Sequence, residues 1–172
     1  VVFVGEQHDD VNTHRVELAL VESLAKWRPA IVLALEMFER DVQEPLDHFL
    51  QEHSTEEEFL AESRPWPQYA RDYKPLIDLA IRKQWYVVAA NVPRHVASAV
   101  AEGGLGVLAT RPASDRHLYA ANVPCPTDDA YHRRFVEAMG RGHAEGASAT
   151  MSAAALGRYY ESQCLKDETM AE

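Results

Sequence analysis

Three short stretches carry side chains that could work together chemically. They are Glu6 and His8 in Gly5-Glu6-Gln7-His8, Glu36 and Arg40 in Glu36-Met37-Phe38-Glu39-Arg40, and Asn91 and Arg94 in Asn91-Val92-Pro93-Arg94. An imidazole and a carboxylate, here His8 and Glu36, can bind a divalent metal or move a proton. An arginine can grip a carboxylate-bearing ligand through paired hydrogen bonds. The plainer reading is that Glu6 and Glu36 cap helices or pair with Arg40 and Arg94. Their recurrence after three successive apolar runs favours function for the group, although one histidine and one certain carboxylate do not define a metal centre.

Those runs are Val1–Val4, Ala30–Leu35 and Trp85–Ala90, and uninterrupted β-favouring segments of this kind predict strands buried on both faces. Between them the spacing predicts helices over 12–27 and 42–51, one opened by a Ser54-x-x-Glu57 capping box, and one with Pro75 in its first turn. A further helix runs from Pro93 to Gly103-Gly104. Residues 105–126 read as a loop with one short element, followed by a helix carrying Tyr131, Phe135 and Met139 and a last one through Tyr159, Tyr160, Gln163 and Leu165. Strands alternating with helices predict an α/β fold: a mainly parallel sheet flanked by helices, with a ligand crevice at the carboxyl ends of the strands. The expectation is a single α/β domain over 1–172. Three strands are few for this much helix, so the chain reads as a fragment lacking one or more carboxyl-terminal strands.

Composition narrows the partners. With 27 acidic against 17 basic residues and a formal charge of −10, a nucleic-acid or anionic-membrane partner is disfavoured. No apolar run approaches the ~18 residues of a membrane span. Cys125 and Cys164 form no disulfide framework by number and read as inert thiols. His14, one helical turn before Leu18, reads as a capping or core residue, with facing the site as the alternative. His48, His53, His117 and His132 read as surface residues, and His95 gains interest only from following Arg94. Gly140-Arg141-Gly142-His143 repeats the Gly-x-x-His spacing without a strand before it. Trp66, Tyr69 and Tyr73 read as packing in a rigid connection, with cover for a flat apolar ligand as the alternative.

The ordered set Gly5-Glu6-Gln7-His8, Leu35–Arg40 with Gln43, Asn91–Arg94, and Gln163 with Asp167-Glu168-Thr169-Met170-Ala171 resembles the ChaN-like haem-binding uptake proteins. These belong to the wider Tiki and TraB superfamily, which has erythromycin-esterase-like relatives. The resemblance implies an α/β fold of bacterial type that binds haem or another tetrapyrrole for iron uptake, carriage or storage, between the subunits of a homodimer. Glu6, His8, Glu36, Arg40, Asn91 and Arg94 would then lie at or near the cofactor, arginines on propionates and aromatics over the macrocycle. For the enzymatic branches it implies a metal-dependent hydrolase, His8 and Glu36 acting on a divalent ion or on water. It also implies a cell-envelope setting, with no targeting segment visible in the chain. The iron ligand is left open, with Tyr159 or Tyr160 as guesses.

Overall fold

The first helix starts where a carboxylate can satisfy its free amides: Asp10 accepts from the Asn12 N–H at 2.9 Å and caps α1 (Val11–Trp27). Pro29 bars its continuation, and the chain turns into β1 (Val32–Glu39). A 3₁₀ turn over Arg40–Val42 leads to α2 (Gln43–Leu50), followed by α3 (Glu56–Ser63), the single turn α4 (Tyr69–Asp72) and α5 (Lys74–Lys83), which carries Pro75 in its first turn. β2 (Tyr86–Asn91) then pairs with β1 in a parallel two-stranded sheet. A parallel pair needs a long crossover, and the helices between the strands supply it. The remaining helices are α6 (Arg94–Gly103), α7 (Ala130–Gly142) and α8 (Ala153–Ala171). Between α6 and α7 lie two 3₁₀ segments, Leu105–Thr110 and Ala113–Leu118, where one short element is predicted. This computed structural model describes residues 1–142 and 151–172, so His143 of the Gly-x-x-His repeat lies outside the described residues.

By its internal contacts the chain divides into two units, Val1–Ala90 and Asn91–Glu172. In the first, Phe38, Leu46, Phe59, Ile77 and Val87 are fully buried, and α1 adds Leu18, Val21 and Ala25 at helical spacing. Phe59 stacks on Phe49 at 4.7 Å between centroids and meets Phe38 edge-on at 5.4 Å. Trp85 donates its indole N–H to the Pro29 carbonyl at 2.7 Å, which ties the end of α1 to the start of β2. Gln43 fixes β2 from its side: its amide donates to the Val87 carbonyl at 2.9 Å and accepts from the Ala89 N–H at 2.8 Å.

The second unit is built on α6 against α8, with Val96, Val100, Leu118 and Leu165 in its core. Ser162 donates to the Ala97 carbonyl at 2.8 Å, and Glu161 accepts from the Leu105 N–H at 2.7 Å. That second bond is reached because Gly104 turns the chain at φ +80°, a conformation that favours glycine. Thr169 accepts from the Ala120 N–H, and Asp167 accepts from Gln163 and from the Tyr131 hydroxyl. The carboxyl-terminal part of the resemblance motif thus holds α8 to its neighbours.

Three expectations need correction. Val1–Val4 is not a strand: the segment is irregular, and Phe3 is 82% exposed. Strand propensity needs a ladder partner, and among the described residues none pairs with it. The capping box sits one residue later, on Thr55 and Glu58, while the Ser54 hydroxyl is buried without a hydrogen bond. The cysteines are not inert thiols; Cys125 and Cys164 are joined in a disulfide across 39 residues. Among the described residues no helix is long and apolar enough to cross a membrane.

Candidate functional site

Of the residues singled out by sequence, Glu6 and His8 meet directly. The His8 Nδ1 lies 2.5 Å from Glu6 Oε1, and its ring stands edge-on to Trp66 at 4.5 Å. A hydrogen bond to a carboxylate places the proton on Nδ1 and the lone pair on Nε2. Nε2 makes no hydrogen bond among the described residues, and the side chain is 52% exposed. Metal-binding histidines are commonly prepared in this way, with one ring nitrogen held by a carboxylate and the other left to the ion.

Glu6 is itself held from several sides. Tyr73 donates its hydroxyl to the same Oε1, and burial followed by that contact pushes the phenol well above its ordinary range. Glu36, partly buried on β1, adds negative charge around Tyr73, so it lies within electrostatic reach of Glu6's partner. The other oxygen of Glu6, Oε2, lies 3.6 Å from the Nδ1 of His14.

His14, read from the sequence as a cap or core residue with facing the site as the alternative, is buried among polar groups beside Glu6. Its Nε2 is 3.2 Å from the His8 carbonyl and 3.7 Å from an Asp72 carboxylate oxygen, and its Nδ1 is 3.1 Å from Glu17 Oε2. Burial opposes charge on the ring. The His8 carbonyl, Glu17, Glu6 and Asp72 outweigh it, and the pKa rises above its ordinary value. Glu17 moves upward too, through burial and then the charge of Glu6. Asp72 stays low because Arg71 grips both its oxygens, at 2.7 and 2.6 Å.

Glu17 and Asp72 are not among the sequence candidates, and Tyr73 is named there only as packing or as cover for a flat ligand. A signal for the first was present: His14, Glu17, Leu18, Val21 and Ala25 share one stripe of α1, and a His–Glu pair on an apolar stripe must find polar partners inside. Asp72 and Tyr73 arrive from α4 and its end, about sixty residues on; the aromatic run marks Tyr73 but not its bond to Glu6, and no local pattern announces Asp72.

The remaining candidates of the three stretches, Arg40, Asn91 and Arg94, lie at the ends of secondary-structure elements. Arg40 opens the 3₁₀ turn after β1, partly buried. Asn91 ends β2 with its Oδ1 buried and without a hydrogen bond, and Arg94 and His95 are exposed in the first turn of α6. Tyr160 is buried and donates to the Pro126 carbonyl at 2.7 Å, so its oxygen is committed to the fold. Tyr159 is 40% exposed.

Comparison with known proteins bears on this arrangement. Residues 1–172 match the profile of the family described as "Haem-binding uptake, Tiki superfamily, ChaN". The chain belongs to this family. A solved structure, "Cofacial heme binding to ChaN of Campylobacter jejuni", superposes with a TM-score of 0.65 at 17% identity, over 97% of this chain and 62% of that one. The chain therefore spans less than two thirds of the length of that ChaN, and the likeness establishes the α/β fold. Comparison with curated proteins yields no match. Of the stretches that carry the resemblance, Gly5–His8 supplies the Glu6–His8 pair and Gln43 supports β2.

Proposed function

We propose that this chain binds haem and serves in haem uptake, carriage or storage. The observation that carries the reading is the family match over the whole of residues 1–172. A ChaN of the same fold, whose structure is titled for cofacial haem binding, supports it.

Within the chain, His8 is the group best suited to face the iron. Its Nδ1 proton is held by Glu6, its Nε2 is left with a lone pair, and it is half exposed beside Trp66. Glu6 orients it, Tyr73 donates to Glu6, and Glu36 adds negative charge around Tyr73. Arg40 in the first unit, and Arg94 with Asn91 in the second, are the groups proposed to take propionate or other polar edges. When bound, haem supplies the iron and the porphyrin; the protein sets the ligand, its orientation and the access of water. A homodimer is part of the proposal, and the disulfide of the second unit fits work outside the reducing cytosol. The metal-hydrolase alternative through His8 and Glu36 is not better supported.

Titrating haem into the protein and following the Soret band tests this. We expect a saturable transition, and His8→Ala is expected to weaken it at least tenfold and shift the band. His53→Ala, at an exposed histidine on the loop after α2, is expected to leave both unchanged. A wild-type protein that gives no saturable Soret change would overturn the reading, and one in which His8→Ala changes nothing would remove His8 from it. Sedimentation with and without haem reads the dimer.

A further inference from the structure

Beneath the Glu6–His8 pair, three donor atoms converge that haem binding does not use. They are Glu6 Oε2, His14 Nδ1 and Glu17 Oε2, all within 4.8 Å of one another. We propose that Glu6, His14 and Glu17 form a separate site for a divalent first-row transition cation.

The distances fit such an ion. Metal–ligand bonds of about 2.0–2.2 Å place neighbouring donors about 3.0–3.4 Å apart in octahedral or tetrahedral sites. His14 Nδ1 lies 3.1 Å from Glu17 and 3.6 Å from Glu6. The ring is already oriented: Nε2 faces the His8 carbonyl at 3.2 Å, with Asp72 behind it, which directs Nδ1 at the two carboxylates, where a bound cation would replace the Nδ1 proton. Glu6 divides its two oxygens between the tasks, Oε1 accepting from His8 and Tyr73 while Oε2 faces His14.

Charge points the same way. Two carboxylates, Glu17 8% exposed and Glu6 nearly as enclosed, share one imidazole, and Asp72 is already occupied by Arg71. Closely placed buried carboxylates repel unless a proton or a cation lies between them. One imidazole with two carboxylates is a donor set suited to Mn²⁺, Fe²⁺ or Zn²⁺ rather than to the all-oxygen preference of Mg²⁺ or Ca²⁺. Three protein donors leave positions for water, and a shallow depression of about 300 Å³ between Val4-Gly5 and α1 reaches Glu17.

Mn²⁺ is a suitable probe because free and bound ions are distinguished by electron paramagnetic resonance. The wild-type protein is expected to take up one Mn²⁺, with electron spin-echo modulation from one imidazole nitrogen. Glu17→Gln and His14→Gln are each expected to weaken binding at least tenfold, the second also abolishing the nitrogen modulation, with folding checked by far-UV circular dichroism. The competing site is the exposed pair His48 and His53, whose rings lie 6.3 Å apart. The double variant His48→Ala/His53→Ala is expected to bind as the wild type does. Absence of saturable Mn²⁺ binding, absence of nitrogen modulation in the wild type, or binding lost only with the His48/His53 pair would each overturn the proposal. The wild-type signal decides the matter even where a variant fails to fold, and the haem titration reads a different chromophore, so either idea can fail alone.

Discussion

Replacing Cys125 and Cys164 with alanine is expected to lower the stability of the second unit by about 2–4 kcal/mol. The bond closes a separation of 39 residues, for which loss of chain entropy in the unfolded state amounts to about 4 kcal/mol. Native-state strain and residual unfolded structure usually reduce that figure. The bond fastens the irregular segment before α7 to the middle of α8, beside the Tyr160 hydroxyl bonded to the Pro126 carbonyl. All three tryptophans, Trp27, Trp66 and Trp85, lie in the first unit, so their fluorescence follows that unit while far-UV circular dichroism follows the helices of both. In denaturant, the variant is expected to lose a fraction of its helical signal earlier than the wild type, with the tryptophan transition little changed. Reducing agent should do the same to the wild type and nothing to the variant. Two thiols reacting rapidly in the native wild-type protein, or superposable unfolding curves, would contradict the assignment.

The missed disulfide illustrates which parts of this molecule are readable along the chain. Asp10 before α1, Pro75 inside α5, the apolar run of β2 and Gly104 after α6 act through neighbours within a few residues, and each of those elements forms where its local chemistry places it. Thr55 shows the limit of such signals. Ser54 and Thr55 both stand three residues before a glutamate, and which one caps α3 depends on how the chain enters the helix. Val1–Val4 has the composition of a strand, but a strand is a relation between two segments, and composition describes only one.

The candidate site divides along the same line. Glu6 and His8 are two residues apart, and their contact could be anticipated from the motif. His14 and Glu17 stand three residues apart on α1, and the sequence reading weighs His14 by itself, without Glu17 beside it. Tyr73 and Asp72 complete the enclosure from far along the chain, where only tertiary packing brings them to Glu6 and His14.

Gln43→Leu is expected to destabilise the first unit by about 2–4 kcal/mol, a large effect for a residue that contributes no apolar core. Its side-chain amide does for β2 what a neighbouring strand would do, receiving the Ala89 N–H and supplying a donor to the Val87 carbonyl. Val87 and Ala89 are 0% and 1% exposed, so water cannot readily replace either bond, and each orphaned group costs about 1–3 kcal/mol. Leucine preserves the bulk and removes both bonds, which separates hydrogen bonding from packing. Gln43→Glu is a sharper test. It keeps an acceptor for Ala89, loses the donor to Val87, and sets a negative charge beside Asp47, whose carboxylate now accepts from the same amide at 2.8 Å. It is therefore expected to be no better than leucine at neutral pH. Urea unfolding followed by tryptophan fluorescence measures the loss, and hydrogen exchange at the Ala89 amide should speed up in both variants. Unchanged protection at Ala89, or a Gln43→Leu effect below about 0.5 kcal/mol, would mean that the strand needs no such clamp. A positive result would give Gln43 a role without assigning it to the ligand: it holds the strand that ends at Asn91.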